Sequence, residues 1–493
     1  MITFNEVPSN AAASAVFVEQ EPVSRIGALP LIPHRLLLVG QYNTGKTPTA
    51  NVPQLLLDEA DAWDRYGRGS LLALQYKAAF AATRGAVPIY ALPLADAGAA
   101  VKATGTIALT GPATANGTLA VYVGGVRVPV AVSAADTATE VGDALAAAVN
   151  ANLDLPVTAA NVTGTVTFTV RWGGAAGNQI KLEVNRLDTD ATPAGIAAVV
   201  TDIGDAVAGA NDPDATTALA GLGGTWYTEI VYPYQGDAEL DRLEAAGDAR
   251  ADAGVKRMFA GFIGYTDTLA NFLTALGDRN SQWTTIVPVH GSSTPGYVIG
   301  ASAAGVYARV QQATPGRPAK GQVIPGVLAA DANDLTYSAQ DTVVKAGGST
   351  TRNLAGGRVA LIDLVTTRTE TDLGAATDDW RFTVIIGNLQ FKLYALEQTF
   401  LGSPFDQGVV LSDADVGGPT FGIRPSTVKA YAIGLIDGWI GLGLSTSRDE
   451  IVSNTVAAID GSNPGRINLL IPDIASAGLR IVAAKLEWAF ITG

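Results

Sequence analysis

The hydrophobic pattern of the chain switches between two periods. Residues 35–40 (RLLLVG) set an apolar run of strand length directly after Arg35, the mark of a strand buried on both faces. Pro53 opens a helix over 53–66 that Gly67 ends, and Ser70 caps a second helix over 71–83. Leu72, Tyr76, Ala79 and Phe80 fall on one face of that second helix, and 87–92 reads as the next strand. Strand, helices, strand is the order of an α/β layer. From 104 to 188 the period drops to two, with short strands at 104–109, 117–123, 126–132, 155–160, 164–171 and 179–184. Gly124-Gly125 marks a hairpin, and Thr137-Ala-Thr-Glu140 is a capping box that opens a helix to about Asn150. The α/β rhythm then returns, with strands at 226–232, 258–263, 284–289 and 358–367. Between and after them helices are expected at 237–250, 267–277, 297–312, 381–400 and 426–440. Two strand-like runs, 466–471 and 479–490, close the chain.

These shifts predict an α/β (α+β) multi-domain protein, an α/β core with an inserted small β-rich domain and extended strand arms at both ends. The expected divisions are an N-terminal arm (1–33), the first part of the core (34–103), the insertion (104–188), the remainder of the core (189–465) and C-terminal strands (466–493). Pro8, Pro22, Pro30 and Pro33 keep the first arm from forming a helix, and Val16, Phe17 and Val18 are its one β-prone piece. In the last run the apolar positions are Leu479, Ile481, Val482, Leu486, Trp488 and Phe490. Unpaired apolar strands are a liability unless something pairs with them.

Composition narrows the function. The 493 residues exceed one hydrophobic core, and 48% are apolar against 16% charged, a folded balance. The net charge of −14, with no basic run, argues against direct nucleic-acid binding or a polybasic membrane contact. No cysteine is present, which removes disulfides, thiol nucleophiles and thiolate metal sites. With His34 and His290 the only histidines, a multi-histidine metal site is not expected either. The opening residues lack a basic stretch followed by an apolar one, and no apolar run is long enough to span a membrane. Synthesis and assembly in the cytoplasm are the expectation.

Gly40-Gln-Tyr-Asn-Thr-Gly45-Lys46-Thr47 matches the P-loop pattern in every position, directly after a strand. A working P-loop starts a helix at its Lys-Thr pair, so that free N–H groups point at phosphate. Pro48 and Pro53 oppose a helix there, and Gly40, Gly45, Lys46 and Thr47 are expected to be a decoy. His290-Gly-Ser292-Ser293 reads as a loop rather than a catalytic pair, since adjacency is not triad geometry. Asp378-Asp379 reads as the cap and first turn of the helix after it, and Asp58, Glu59, Asp61 and Asp64 as the wet face of a helix. Catalytic residues, cofactors and metals are therefore expected to be none, and the chain is expected not to be an enzyme.

Several blocks, in order, resemble the contractile tail sheath proteins of Mu-like phages. They are ITFNEVPSN (2–10), VFVE (16–19), SRIGALPLIPHRLLLVGQ (24–41) and the stretch 50–83 with its YGRGS turn. Residues 117–152, GGAAGNQIKLEVN (173–185) and NPGRINLLIPDIASAGLRIVAAKLEW (463–488) continue the resemblance, which is weakest over 315–425. It implies a virion structural protein that polymerises with itself as six-fold rings around a tail tube. Neighbours would be tied by exchange of the terminal strands. Contraction would drive the tube through the host envelope for genome ejection. The implied partners are the tube protein and the baseplate and tail terminator proteins, and the implied location is the virion tail. The alternatives are the sheath of a phage-derived bacteriocin or injection particle, a β-rich surface adhesin suggested only by the insertion, and, distantly, a P-loop nucleotide-binding protein. The core is expected to face inward and the insertion outward.

Overall fold

The structure is a computed structural model that describes residues 29–277, 279–330, 334–415 and 417–488. Val16, Phe17, Val18 and Phe490 lie outside the described residues. Three strands come first: β1 (Leu36–Gln41), β2 (Gln54–Leu56) and β3 (Ile89–Leu94). Seven follow: β4 (Thr104–Thr110), β5 (Gly117–Val123), β6 (Val126–Val132), β7 (Val157–Val162), β8 (Thr165–Val170), β9 (Leu182–Val184) and β10 (Ala197–Thr201). Then come β11 (Glu229–Val231), β12 (Ala260–Tyr265) and β13 (Thr284–Pro288).

The core is one six-stranded sheet in the order β13-β12-β11-β1-β3-β2. Every pairing in it is parallel except that of the edge strand β2. The apolar run that stands out in the sequence is the central strand β1, buried at every residue. A parallel strand covered on both faces has no polar face to show. Two helices, α1 (Glu59–Tyr66) and α2 (Leu71–Thr83), connect β2 to β3. Ser70 caps α2 by accepting from the Ala73 N–H, and Gly67, at φ 89°, ends α1. The helix expected over 53–66 starts only at Glu59, because Asp58 accepts from the Asp61 N–H as its cap. Residues 54–56 use their backbone groups on β3 instead. Asp58 and Asp64 are exposed, as a wet face requires, while Glu59 and Asp61 are half-buried. Phe80 lies outside the buried face of α2, 45% exposed and stacked on Tyr76.

The insertion holds two sheets, β10-β4-β8-β7 and β6-β5-β9, with the helix α3 (Ala138–Ala151) against them. Both halves of the Thr137–Glu140 capping box form, and Gly124 and Gly125 turn the β5–β6 hairpin at positive φ. The expected end at 188 is too early. β10 pairs with β4 in antiparallel register, and bridges Thr104–Val207 and Val101–Ala210 carry the pairing further. The polar stretch 185–196 hid that return.

Four helices follow: α4 (Thr216–Ala220), α5 (Asp237–Ala251), α6 (Leu269–Gly277) and α7 (Gly296–Ala313). α7 touches both β12 and α2. Small residues on β12 and α7 permit the approach: a Cβ on Gly264 of β12 would sit 2.0 Å from the Gly296 carbonyl oxygen, and one on Gly305 of α7 would sit 2.9 Å from that of Ala79. Over 315–425 the strand expected at 358–367 is β16 (Arg358–Asp363), and the structure adds elements the pattern does not announce: α8 (Tyr337–Lys345), and β14 (Val323–Ile324) and β15 (Thr350–Leu354), which flank β16 in one sheet.

By compactness the described residues fall into two units, one of 32–393 with 477–488 and one of 29–31 with 394–476. The helix α9 (Thr383–Leu401) contributes to both. The second unit has its own core, in which Ala432, Leu435, Ile436 and Trp439 of α10 (Pro425–Gly441) are buried with Ile451 of α11 (Arg448–Asn454). It also holds β17 (Val409–Val410) paired with β18 (Gly422–Ile423), and a hairpin of β19 (Val456–Ile459) and β20 (Ile467–Leu470). The remainder of the core was expected to be continuous over 189–465. It parts at 393, and the expected C-terminal arm parts at 476, because β20 pairs back onto β19.

Candidate functional site

Residues 477–488 form no strand among the described residues, although 479–490 reads as one. Residues 477–487 pair with no strand among the described residues. The side chains expected to lie between subunits are all outside: Leu486 is 87% exposed, and Ile481, the least exposed of Leu479, Ile481, Val482, Leu486 and Trp488, is 70%. The segment is nevertheless held at its root. Arg480 Nε donates to Asp363 Oδ1 at 3.1 Å, its guanidinium lies 4.1 Å from the Phe382 ring centroid, and its carbonyl accepts from Lys320 Nζ at 3.0 Å. In extended form Val482, Ala484, Leu486 and Trp488 share one face, and Lys485 and Glu487 take the other. In the other unit, β19 and β20 pair only with each other among the described residues, and Val456 and Leu470 on them are exposed. Among the described residues, then, two kinds of backbone lack a further sheet partner: an extended apolar segment outside any sheet, and a two-stranded sheet with no third strand.

The P-loop-like stretch has none of the geometry its letters suggest. After Gln41 the chain turns through an irregular loop to β2, and no helix opens at Lys46 or Thr47. Lys46 Nζ donates to the Asp64 carbonyl oxygen at 2.8 Å. Gly40 serves packing, since a Cβ there would be 2.3 Å from Leu71 Cδ2. Beyond the carboxyl end of β1, beside which an open α/β sheet can place a ligand, the insertion closes in. Gln41 Nε2 donates to the Gly173 carbonyl at 2.5 Å and to Asp96 Oδ1 at 2.8 Å, while Asp96 Oδ2 accepts from the Gly173 N–H. The neighbouring Trp172 meets Tyr297 edge to face.

The other candidate residues do not converge. His290 Nδ1 is 2.7 Å from the Asp267 carbonyl oxygen, Ser292 Oγ donates to the Leu328 carbonyl, and Ser293 Oγ accepts from Arg186. Asp378 precedes α9 by too far to cap it and pairs with Arg381 at 2.9 Å instead. No group of three or more His, Asp or Glu among the described residues is arranged to hold a metal ion. Sequence reasoning missed a buried polar cluster at the foot of β1 and β11. His34 Nδ1 lies 2.8 Å from Glu229 Oε1, with the two side chains 1% and 0% exposed. Thr228 Oγ1 donates to Glu229 Oε2, and Gln390 Nε2 donates to the Thr228 carbonyl. Partners 195 positions apart leave no local signal. Buried polar groups of this kind need such hydrogen-bond partners.

No family model matches the chain. Among curated proteins it is 26% identical over 490 residues to the "Mu-like prophage FluMu tail sheath protein" of Haemophilus influenzae, covering 99% of both chains. The chain resembles a Mu-like tail sheath protein from end to end. Solved structures similar to it include sheath tail proteins of Desulfitobacterium hafniense and Listeria innocua. The first is 10% identical, covering 94% of this chain and 97% of that one, at a TM-score of 0.49. The second is 12% identical, covering 92% and 96%, at 0.46. The contracted helical sheath of the anti-feeding prophage is 13% identical, covering 97% and 100%, at 0.45. The likeness to the Mu-like tail sheath protein includes 315–425, where the motifs are weakest, because the alignment runs through it. No helix among the described residues is long and apolar enough to cross a membrane.

Proposed function

We propose that the chain is the structural subunit of a contractile tail sheath. It polymerises as six-fold helical rings around a tail tube and contracts to drive the tube through an envelope. The observation that carries this reading is the segment 481–488, apolar on one face, exposed and anchored at Arg480. Such a strand is stable only when another sheet receives it. The β19–β20 hairpin of a neighbouring copy offers that sheet. Extended, the eight residues reach roughly 26 Å, enough to add a full strand to a neighbour. The arm containing Val16, Phe17 and Val18 plays the same part at the other end. Main-chain bonds supply the tie, and the apolar face sets the register. Tethers of this kind let subunits rotate as rigid bodies without parting, which a contracting lattice requires.

The similarity to a tail sheath protein over 99% of both chains supports the same reading. The subunit would be assembled in the host cytoplasm, take part in no catalysis, and contact the tube, baseplate and terminator proteins. The α/β core would face the tube and the insertion the outside, since a unit that leaves the core at β3 and returns before β11 can hang away from the axis. Electron microscopy of the purified full chain tests the proposal: striated hollow cylinders or stacked six-fold rings are expected. Normal contractile sheaths from a chain lacking residues 1–15 and 481–493 would overturn the role of the arms. Dispersed particles with tube protein present would overturn the sheath itself.

A further inference from the structure

Three guanidinium groups gather at the amino ends of β1, β11 and β12. Four successive carbonyls of the loop before β11 hold them. Arg250 donates through Nη1 to Gly223 at 3.1 Å and through Nη2 to Thr225 at 2.6 Å. Arg257 Nε donates to Gly224 at 3.1 Å, and Arg35 Nη1 to Trp226 at 3.4 Å. Arg257 also lies over the Trp226 ring, 5.1 Å from its centroid. Carbonyls satisfy N–H groups but bring no countercharge, and like charges on one short loop repel. Neither Arg35 nor Arg250 has a carboxylate partner among the described residues, although Arg250 is only 6% exposed. Burial above all, with the Arg257 charge adding to it, lowers the pKa of Arg250. Asp252 is the one carboxylate of residues 251–258, and its Oδ1 accepts the Gly254 N–H. A cationic cluster of this kind, in a chain of net charge −14, suits an anionic segment.

We propose that the cluster is the docking point of the chain's own N-terminal arm before assembly, held there through the arm's glutamates. Residues 1–28 carry Glu6, Glu19 and Glu21 against Arg25 alone. The arm leads into Arg35, itself a member of the cluster. Glu21 stands 14 positions before Arg35, a span of at most about 50 Å. A tether that short sets an effective concentration on the order of millimolar, so dilute subunits dock their own arm before a neighbour's. Docking parks Val16, Phe17 and Val18, an apolar strand that is a liability while unpaired, until a neighbouring sheet receives it. That purpose rests on the reading of the arm as an exchanged strand, whereas the docking itself does not.

The full chain has no cysteine, so nitroxide labels attach only where cysteines are introduced. The sites are Gln20→Cys on the arm and Ala253→Cys, an exposed position on the loop that carries Arg257. Pulsed dipolar spectroscopy of the dilute, doubly labelled chain in an excess of unlabelled chain is expected to show one narrow, short distance. The triple variant Glu6→Gln/Glu19→Gln/Glu21→Gln touches none of the residues that hold the loop. It should lower the docked-to-free ratio about ten-fold, and molar salt should act in the same direction. Glu487→Gln, the same change near the other end, should leave the ratio as it is. A broad distribution in the unaltered chain, or a short distance indifferent to both neutralisation and salt, would overturn the docking. A short distance seen only between chains that carry one label each would assign the arm to a neighbour and overturn docking within one chain. Sheath formation is scored separately by electron microscopy, so docking can fail while polymers form, and polymers can fail while docking holds.

Discussion

Residues 40–47 and 479–488 make an instructive pair. The first matches a nucleotide-binding motif in every position, and the second matches no motif of chemistry at all. Yet the first ends in a packed loop, with Lys46 spent on a carbonyl and the crevice beside it closed by Gly173. The second leaves a fixed root at Arg480 and exposes an apolar face that joins no sheet among the described residues. A motif describes which side chains are present, whereas a function also needs the backbone groups around them to be available. In the P-loop-like stretch there is no helix N-terminus to offer N–H groups. In the C-terminal segment the N–H and C=O groups are the offer.

Each region can be tested against the other. The largest effect belongs to the tail. Leu486→Glu, on the apolar face, should abolish polymers seen by electron microscopy, while Lys485→Glu on the opposite face should keep them. Equal behaviour of the two variants would mean the segment does not bind as a strand. Neither change should move the melting temperature by more than a degree or two, since both side chains are exposed. Gln41→Ala comes next. It removes a buried hydrogen bond to Gly173 of the insertion and a partly buried one to Asp96, and should cost about 2 kcal/mol in urea unfolding without creating nucleotide affinity.

The pH dependence of Asp212 sharpens the picture of how the insertion is seated. Burial raises its carboxyl from 3.8 to about 6, so the folded chain holds this proton more tightly than the unfolded one. Its contribution is complete below the unfolded value and is lost as pH rises through about 6. Asp212→Asn should therefore stabilise the chain at about pH 7, on the order of 1–2 kcal/mol, and have no effect near pH 4. Thermal melts at both values would show it, and equal shifts at both would contradict the sign. Arg480→Ala should cost only about 0.5–1 kcal/mol, because the pair it forms with Asp363 is partly exposed. It should nonetheless speed proteolysis of the tail. The smallest effect is that of Lys46→Ala, within about 0.5 kcal/mol. Loss of a measurable nucleotide affinity on that substitution would reverse the reading of residues 40–47.

The misread elements share a cause. The first strand of the insertion begins at Thr104, where a clean alternation predicts it, but the expected end at 188 leaves out β10. Only the register of β10 on β4 shows that the chain returns to the same sheet. The helix after Pro53 began late, because an edge position beside β3 took the residues between Pro53 and the Asp58 cap. Residues 479–488 read as a strand because alternation and β-branched content are local, whereas a strand exists only where a partner does. The polar cluster of His34, Glu229 and Gln390 was invisible for the opposite reason, being built wholly from distant residues.

By itself the sequence determined the local chemistry of this protein. It determined the buried run that becomes β1, the caps at Ser70 and Thr137, and the glycine turn at 124–125. It also determined the absence of thiol chemistry and the apolar faces left at the C-terminus. These follow from short-range sterics, hydrogen bonding and periodicity, which act over a few residues. The tertiary structure decided the rest: strand order, the split at Leu393, the plug of Gly173 beyond β1, and which apolar segment stays exposed. Those depend on which distant backbone groups satisfy one another. That competition is settled only when the whole chain has folded.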